Sequence, residues 1–328
     1  MRVRGVLLSL IFFLSFVFET QAQAPEVHVN PVSSNEAVRR IEAGQSEVTN
    51  NGVFTYNYPI EIPAFRGLEP KIGLNYNSGR KTKTGGEYQG WLGHGWGLSG
   101  VPVIERAGYQ LGVPQYLPED VYLLNGEPLV KCGTEGASCK AGGNWVAEVE
   151  NYLKINFDAA SNAWQVTGRD GTVTTFESVG KIAGSTATAE DAKDIAFSYR
   201  WLAKTVTDTY GNSVSYSYDC ADMPVCYPTA VSYNGRTVQF FYETRPDYIT
   251  AANGHTISTT TKRLKTIVAK TGAAVSGGYA LAYDQAPLSQ ASRLVSVQHF
   301  GSDVVLDATS TITGGTALPK TAFDYNDA

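Results

Sequence analysis

The stretch Tyr210-Gly211-Asn212-Ser213-Val214-Ser215-Tyr216-Ser217-Tyr218-Asp219 decides the fold. Side chains alternate across a strand with a period of two, so Val214, Tyr216 and Tyr218 share one face while Ser213, Ser215 and Ser217 share the other. A half-buried strand follows, entered through a Gly-Asn turn. The same alternation sets Val238, Phe240 and Tyr242 on one face, Tyr279, Leu281 and Tyr283 on another, and Ile72, Leu74 and Tyr76 on a third. Turn signals bound the runs at Asp170-Gly171, Tyr210-Gly211-Asn212, Asn234-Gly235 and Asn253-Gly254, and Asn-Gly or Asp-Gly between apolar runs is the strongest short hairpin signal. Together they predict an all-β chain, with serial antiparallel hairpins forming a large curved sheet.

Composition points the same way. The 328 residues include 33 Gly, 14 Pro and 19 Tyr, and only 17% are charged, against about 25% in an average soluble domain. The formal charge of -5 leaves no basic field to hold nucleic acid. Turn spacing is irregular, which excludes a strict solenoid. What recurs is a loose unit of Gly/Asn turn, β-branched or aromatic run, then Tyr-Asp, at 210–219 and 277–284. Gly184 to Asp194 reads as an exposed loop.

At the N-terminus, Arg2 and Arg4 precede an apolar run from Val6 to Phe18, and Ala22-Gln23-Ala24 supplies small residues for cleavage. This predicts a signal peptide over residues 1–24 and a secreted, extracellular chain. The run is shorter than the roughly 20 residues a membrane helix needs, and no integral membrane span is expected. Residues 25–50 read as an extension with one short helix, capped by Ser33 with Glu36 three positions on and stopping at Gly44. Residues 51–328 read as one β-rich domain. The four cysteines fall as two local pairs, Cys132 with Cys139 and Cys220 with Cys226. Of the three possible connectivities, proximity in sequence favours these two small loops, which would pin hairpin tips. Zinc is the rival reading, but neither spacing matches Cys-x(2–4)-Cys and His28, His94, His255 and His299 are scattered.

Two segments carry a resemblance: YNYPIEIPAFRGLEPKIGLNYNSG (56–79) and GWLGHGWGLSGVPVIERAG (90–108). They hold an extended Pro-containing strand, a Gly-x-x-Pro turn, a strand ending in Tyr-x-Ser, then Gly-x-Gly-Trp-x-Leu and Ile-x-Arg. Gly67, Pro70, Leu74, Tyr76, Ser78, Gly93, Gly95, Trp96, Leu98, Ile104 and Arg106 occupy those places. The pattern resembles the SpvB family, which includes the B components of bacterial insecticidal toxin complexes. The likeness continues at 120–130, 201–219 (with Gly211 and Asn212), 238–247, 262–268, 292–301 and 318–327. The resemblance implies the first part of a hollow Rhs or YD-type β shell that encloses a toxic polypeptide, with other toxin-complex or Rhs-type chains as partners. In relatives more shell or an ADP-ribosyltransferase follows; a chain ending at Ala328 is expected not to close a shell alone.

No catalytic, cofactor-binding or metal-binding residue is singled out. Gly95-Trp96-Gly97-Leu98-Ser99-Gly100 fits Gly-x-Gly-x-x-Gly, but a dinucleotide fingerprint needs a helix immediately after it, and Pro102 favours an extended continuation. Glu148-Val149-Glu150 has the Glu-x-Glu form of ADP-ribosyltransferases without the preceding Ser-Thr-Ser strand, and is expected to be a strand with its carboxylates outward. Most of Trp91, Trp96, Trp145, Trp164 and Trp201 are expected in the core. The expectation is a non-enzymatic, toxin-associated shell module with an open sheet edge. The alternatives are a secreted enzyme, either an ADP-ribosyltransferase or a carbohydrate-active protein, and a cell-surface adhesin.

Overall fold

The computed structural model describes residues 44–49, 52–80, 90–133, 136–186 and 194–326. The signal-peptide reading, nearly all of the Ser33–Gly44 helix and most of the 184–194 loop lie outside them. The described residues fall within one compact unit, Ala43–Ala328.

Four strands, β1 (Gln45–Val48), β2 (Phe54–Pro59), β3 (Gly73–Asn77) and β4 (Trp96–Ser99), pair in chain order as an antiparallel meander. β1 lies in the stretch read as an N-terminal extension, and its register, Gln45↔Asn57 to Val48↔Phe54, joins it to the sheet.

The chain then builds β5 (Val103–Ala107), β6 (Val121–Leu124), β7 (Glu127–Lys131), the one-turn α1 (Ala137–Lys140), β8 (Trp145–Ala147), β9 (Lys154–Asp158), β10 (Ala163–Thr167) and β11 (Val173–Ser178). Two short helices, α2 (Val179–Ile182) and α3 (Ile195–Ser198), lead into β12 (Arg200–Thr207). Each of these strands pairs with the next, and β12 pairs with both β11 and β5, so β5 to β12 close into a barrel. An eight-stranded barrel leaves an interior that side chains can fill. Tyr122, Trp145, Phe157, Trp164 and Trp201 fill it, with Phe157 and Trp164 centroids 4.7 Å apart and Trp164 and Trp201 6.1 Å apart. Hairpin patterns predict neighbours along the chain; the closing pair β12–β5 leaves no mark in them.

β12 also starts an open sheet. Arg200–Leu202 pair with β5, while Thr205–Thr207 pair with β13 (Ser213–Asp222). From there β14 (Val225–Tyr233), β15 (Arg236–Ala252), β16 (Ile257–Thr271), β17 (Ala274–Gln285) and β18 (Ser292–Phe300) follow in order. A small ribbon, β19 (Val305–Leu306) with β20 (Ile312–Gly314), precedes β21 (Thr321–Ala322), which pairs with β18. The predicted turns stand at hairpins: Asn234 (φ 41°) and Gly235 (φ 71°) are both left-handed, as a two-residue turn matching strand twist requires.

The meander packs on the open sheet through one continuous core. All five tryptophans are buried in it, as expected. Tyr58 meets Tyr279 edge-on at 6.4 Å, and the Tyr279 hydroxyl accepts from Glu61 N at 2.8 Å.

Candidate functional site

The Tyr-Asp unit turns out to be a device for strands that part. Thr205↔Ser215, Ala230↔Gln239, Thr266↔Ala280 and Ser296↔Ala322 are the pairs farthest from the connection in the ladders β12–β13, β14–β15, β16–β17 and β18–β21. Three residues past the second member of each stands a tyrosine: Tyr218, Tyr242, Tyr283 and Tyr325. Its hydroxyl donates to the carbonyl two residues before the first member: Ala203 (2.9 Å), Pro228 (2.8 Å), Leu264 (2.6 Å) and Leu294 (2.7 Å). Those carbonyls have left the ladder, and a buried carbonyl without a partner is costly. The tyrosine replaces the lost strand. A bulge immediately precedes Tyr218, Tyr242 and Tyr283, and bulges re-aim side chains.

The residue after each of these tyrosines is an acid paired with a cation: Asp219 with Lys262 (2.7 Å), Glu243 with Arg263 (2.7 Å) and Asp284 with Arg293 (2.6 Å). The barrel holds a matching place. Phe176-Glu177 also follows a bulge, opposite Ala203 and Leu202. There β10 and β11 stay paired out to Ala163↔Glu177, so no carbonyl is freed and a ring without a hydroxyl suffices.

Residues 90–98 join the meander to the open sheet where its strands part. Leu264 N donates to Trp91 O (2.7 Å), His94 N donates to Ser292 O (2.7 Å), and Trp91 Nε1 donates to Cys226 O (3.0 Å). At Gly93 a Cβ would lie 2.7 Å from Leu294 N and 2.8 Å from Ser292 O, so only glycine lets the backbones approach. Gly95 (φ +76°) leaves room for the Tyr76 ring, which packs on Trp96 at 5.4 Å. Leu98 is buried opposite Leu74. Gly67 takes a left-handed turn whose N–H, with that of Phe65, donates to Glu69, and Pro70 O accepts from Ile72 N.

Sequence reasoning missed the clamp on this segment. Buried Arg245 pairs with Asp247 (3.0 Å) and donates through Nη1 to Gly90 O (2.6 Å). Asp247 in turn accepts from Ser292 N at 2.7 Å and from its hydroxyl. Burial opposes ionisation of Asp247, yet the hydrogen bonds from Arg245 and Ser292 prevail and hold its carboxyl below the usual range. An Arg-x-Asp within an apolar strand was the available signal.

Arg106 closes one end of the barrel. It pairs with Asp120 (2.7 Å), donates to Leu117 O (3.0 Å) and lies over the Tyr116 ring, while the Asp120 carboxylate accepts from Gln115 N and Tyr116 N. Beside it a cavity of about 350 Å³ is lined by Arg106, Tyr122, Lys131, Trp145 and Phe157. Gly211 (φ +82°) and Asn212 make the β12–β13 turn, where Asp208 accepts from Asn212 N and Nδ2. Disulfides join Cys132 to Cys139 within the β7–β8 connection and Cys220 to Cys226 across the tip of the β13–β14 hairpin, from one strand to the other.

Glu148-Val149-Glu150 corrects the expectation of an outward-facing strand. β8 ends at Ala147, and Glu150 bends back to accept from the Ser138 hydroxyl (2.6 Å) and Tyr152 N (2.7 Å). An alternating pattern three residues long cannot tell a strand from the bend after one. Gly95–Gly100 leads through a turn into β5, not into a helix. Among the described residues no group of His, Cys, Asp and Glu is arranged to hold a metal, and no helix is long and apolar enough to cross a membrane.

Residues 48–252 match the family model described as SpvB, Salmonella virulence plasmid 65kDa B protein. The chain belongs to the SpvB family. No curated protein sequence matches it. Among solved structures, the SpvB-like fold is shared with the Photorhabdus luminescens Tc holotoxin pore, at 17% identity and TM-score 0.62 over 86% of this chain and 16% of that one. TcdB2-TccC3 matches at 19% identity and TM-score 0.59, over 86% of this chain and 17% of that one. The N-terminal domain of the effector SpvB from Salmonella typhimurium strain LT2 matches at 18% identity and TM-score 0.52, over 75% of this chain and 98% of that one. The chain thus spans about a sixth of the Tc toxin chains and nearly all of the SpvB N-terminal domain.

Proposed function

We propose that this SpvB-family chain is a secreted, non-catalytic module that forms part of a β shell around a toxic polypeptide, together with other toxin-complex or Rhs-type chains. The observation that carries this reading is the repeated tyrosine device, which extends one sheet unit by unit from a closed barrel to β21, its last strand among the described residues. Enzymatic chemistry finds little support in the one candidate pair, since the Glu150 carboxylate is engaged by Ser138 and Tyr152.

Co-production with an Rhs-type shell chain, followed by size-exclusion chromatography, tests the assembly. Co-elution is expected, and a chain that stays monomeric beside such partners refutes the shell role. Incubation with labelled NAD is expected to leave acceptor proteins unlabelled; transfer that disappears in Glu150→Ala overturns the non-catalytic reading. N-terminal sequencing of protein from the culture medium is expected to begin after Ala24, and an intact N-terminus refutes the signal peptide.

A further inference from the structure

We infer that the barrel rim around Arg106 and Lys131 binds a small aromatic carboxylate, a flat molecule of one or two rings with a single negative charge. The site lies in the barrel, so it is independent of the shell reading, which rests on the sheet beyond β12.

Neighbouring strands bring one residue each to the same rim. Arg106 stands near the end of β5, Tyr122 near the start of β6, Lys131 at the end of β7, Trp145 at the start of β8 and Phe157 near the end of β9. Arg106 is directly opposite Tyr122, and Lys131 directly opposite Trp145. The cavity of about 350 Å³ that they line is of the size of a small-molecule site, about 300–1,000 Å³, and the mouth of a β-barrel is a usual place for one. Its wall is held in place without a ligand. Asn144 Nδ2 donates to Phe157 O at 2.9 Å while Asn144 Oδ1 accepts from Phe157 N at 2.8 Å. Cys132 N donates to Asn144 O at 3.0 Å, and the Cys132–Cys139 disulfide pins the same wall. A wall already ordered loses little entropy when a ligand enters.

The side-chain chemistry of the wall is one-sided. Its acceptors are committed: the Asp120 carboxylate to Arg106, Gln115 N and Tyr116 N, and Asn144 Oδ1 to Phe157 N. The groups that make no hydrogen bond among the described residues are donors, namely Arg106 Nη1, the Tyr122 hydroxyl and the Lys131 ammonium. Arg106 is only 9% exposed, and its Nε and Nη2 already hold Asp120 and Leu117 O. Lys131 lies over the Trp145 ring at 5.6 Å and pairs with no acid among the described residues. Two cations against the one carboxylate of Asp120 leave one positive charge unbalanced, which a monoanion matches. The rest of the wall is aromatic, with Tyr122 5.2 Å from Trp145 and 6.5 Å from Phe157 between centroids, and aromatic rings pack favourably against such a surface. A neutral sugar fits less well, because its hydroxyls need acceptors as well as donors.

The test titrates the full chain with 2-naphthoate by isothermal titration calorimetry. Two comparators separate the contributions: 2-naphthamide keeps the rings without the charge, and decalin-2-carboxylate keeps the charge without the aromatic faces. Because charge-assisted hydrogen bonds are roughly twice as strong as neutral ones, 2-naphthoate is expected to bind about ten-fold tighter than 2-naphthamide, and several-fold tighter than decalin-2-carboxylate. Lys131→Met is expected to weaken 2-naphthoate about five-fold and to leave 2-naphthamide unchanged, while Lys131→Arg restores the parent affinity. Lys131 is exposed at a strand end, so both variants are expected to keep the parent's Tm, and the ratio of the two naphthyl ligands within one protein reads the site even where stability shifts. Equal affinity for 2-naphthoate and 2-naphthamide overturns the site, as does equal loss of both in Lys131→Met. Decalin-2-carboxylate binding as tightly as 2-naphthoate refutes the aromatic specificity, and no heat of binding from any of the three at millimolar concentration refutes the site altogether.

Discussion

The barrel and the open sheet are built from the same hairpins, and both carry an aromatic-acid pair after a bulge. In the barrel the aromatic is Phe176; in the open sheet it is Tyr218, Tyr242 and Tyr283. The difference follows the backbone. β10 and β11 remain zipped past Phe176, whereas β12–β13, β14–β15 and β16–β17 part three residues before the tyrosine. A hydroxyl appears where a ladder stops and a carbonyl needs a donor. The barrel is therefore held at this position by packing, and the open sheet by packing plus a hydrogen bond.

The largest expected effects test what fills each region. Trp164→Ala removes the ring at the centre of the barrel cluster, and such truncations cost about 3–5 kcal/mol. Urea denaturation should show a lowered midpoint, and an unchanged midpoint would mean that the barrel interior is not packed. In the open sheet Arg245→Leu leaves half-buried Asp247 without its cation, and breaking a fully buried pair costs about 3–5 kcal/mol, which sets the upper bound here. Its loss should also free residues 90–94, read as faster amide exchange at His94, whose N–H is bonded to Ser292 O.

Hydroxyl exchange sharpens the contrast. Tyr242→Phe and Tyr283→Phe leave the carbonyls of Pro228 and Leu264 unpaired and should each destabilise by about 1–3 kcal/mol. Phe176→Tyr buries a hydroxyl where β10 and β11 stay paired past the ring and free no carbonyl between them, and should destabilise by a similar amount, about 1–3 kcal/mol. Chemical denaturation of the three variants decides it. A stabilising Phe176→Tyr would break the rule that the hydroxyl marks the end of a ladder.

Much of the open sheet is legible because its signals are local. Asn234-Gly235 fixes a two-residue turn, and the alternation through Ser213–Tyr218 assigns the buried face residue by residue. The tyrosine device is half legible. Tyr218-Asp219 and Tyr283-Asp284 repeat in the sequence, but Tyr242-Glu243 and Phe176-Glu177 escape a search for Tyr-Asp because position, not identity, defines the unit. Barrel closure is not legible, since Arg200–Leu202 reach back across the sequence to Val103–Glu105 and neither run carries a cue for the other. The roles of Gly93 and Arg245 are hidden for the same reason: each is set by backbone that arrives from a distant part of the chain.

The smallest expected effect concerns the acids beside the tyrosines. A hydrogen bond from Arg293, outweighing burial, lowers the Asp284 carboxyl from its ordinary value, and Lys262 does the same for Asp219. A carboxyl depressed in the folded state adds stability above its ordinary pKa, and that stability is lost as pH falls through the folded value. Asp284 is 43% exposed and Asp219 40%, so solvent screening limits each pair to at most about 1 kcal/mol. Asp284→Asn should therefore be less stable than the parent at pH 7 by no more than that, with the gap closing as the pH is taken below the ordinary aspartate range. About 1 M salt at pH 7 should narrow the same gap. In the barrel Glu177 faces Leu202 and not a cation, so Glu177→Gln at pH 7 should change stability by less than about 0.5 kcal/mol. A gap for Asp284→Asn that ignores both acid and salt would mean that the acid after the tyrosine works through its backbone position and not through its charge, and the two regions would then differ only in the hydroxyl.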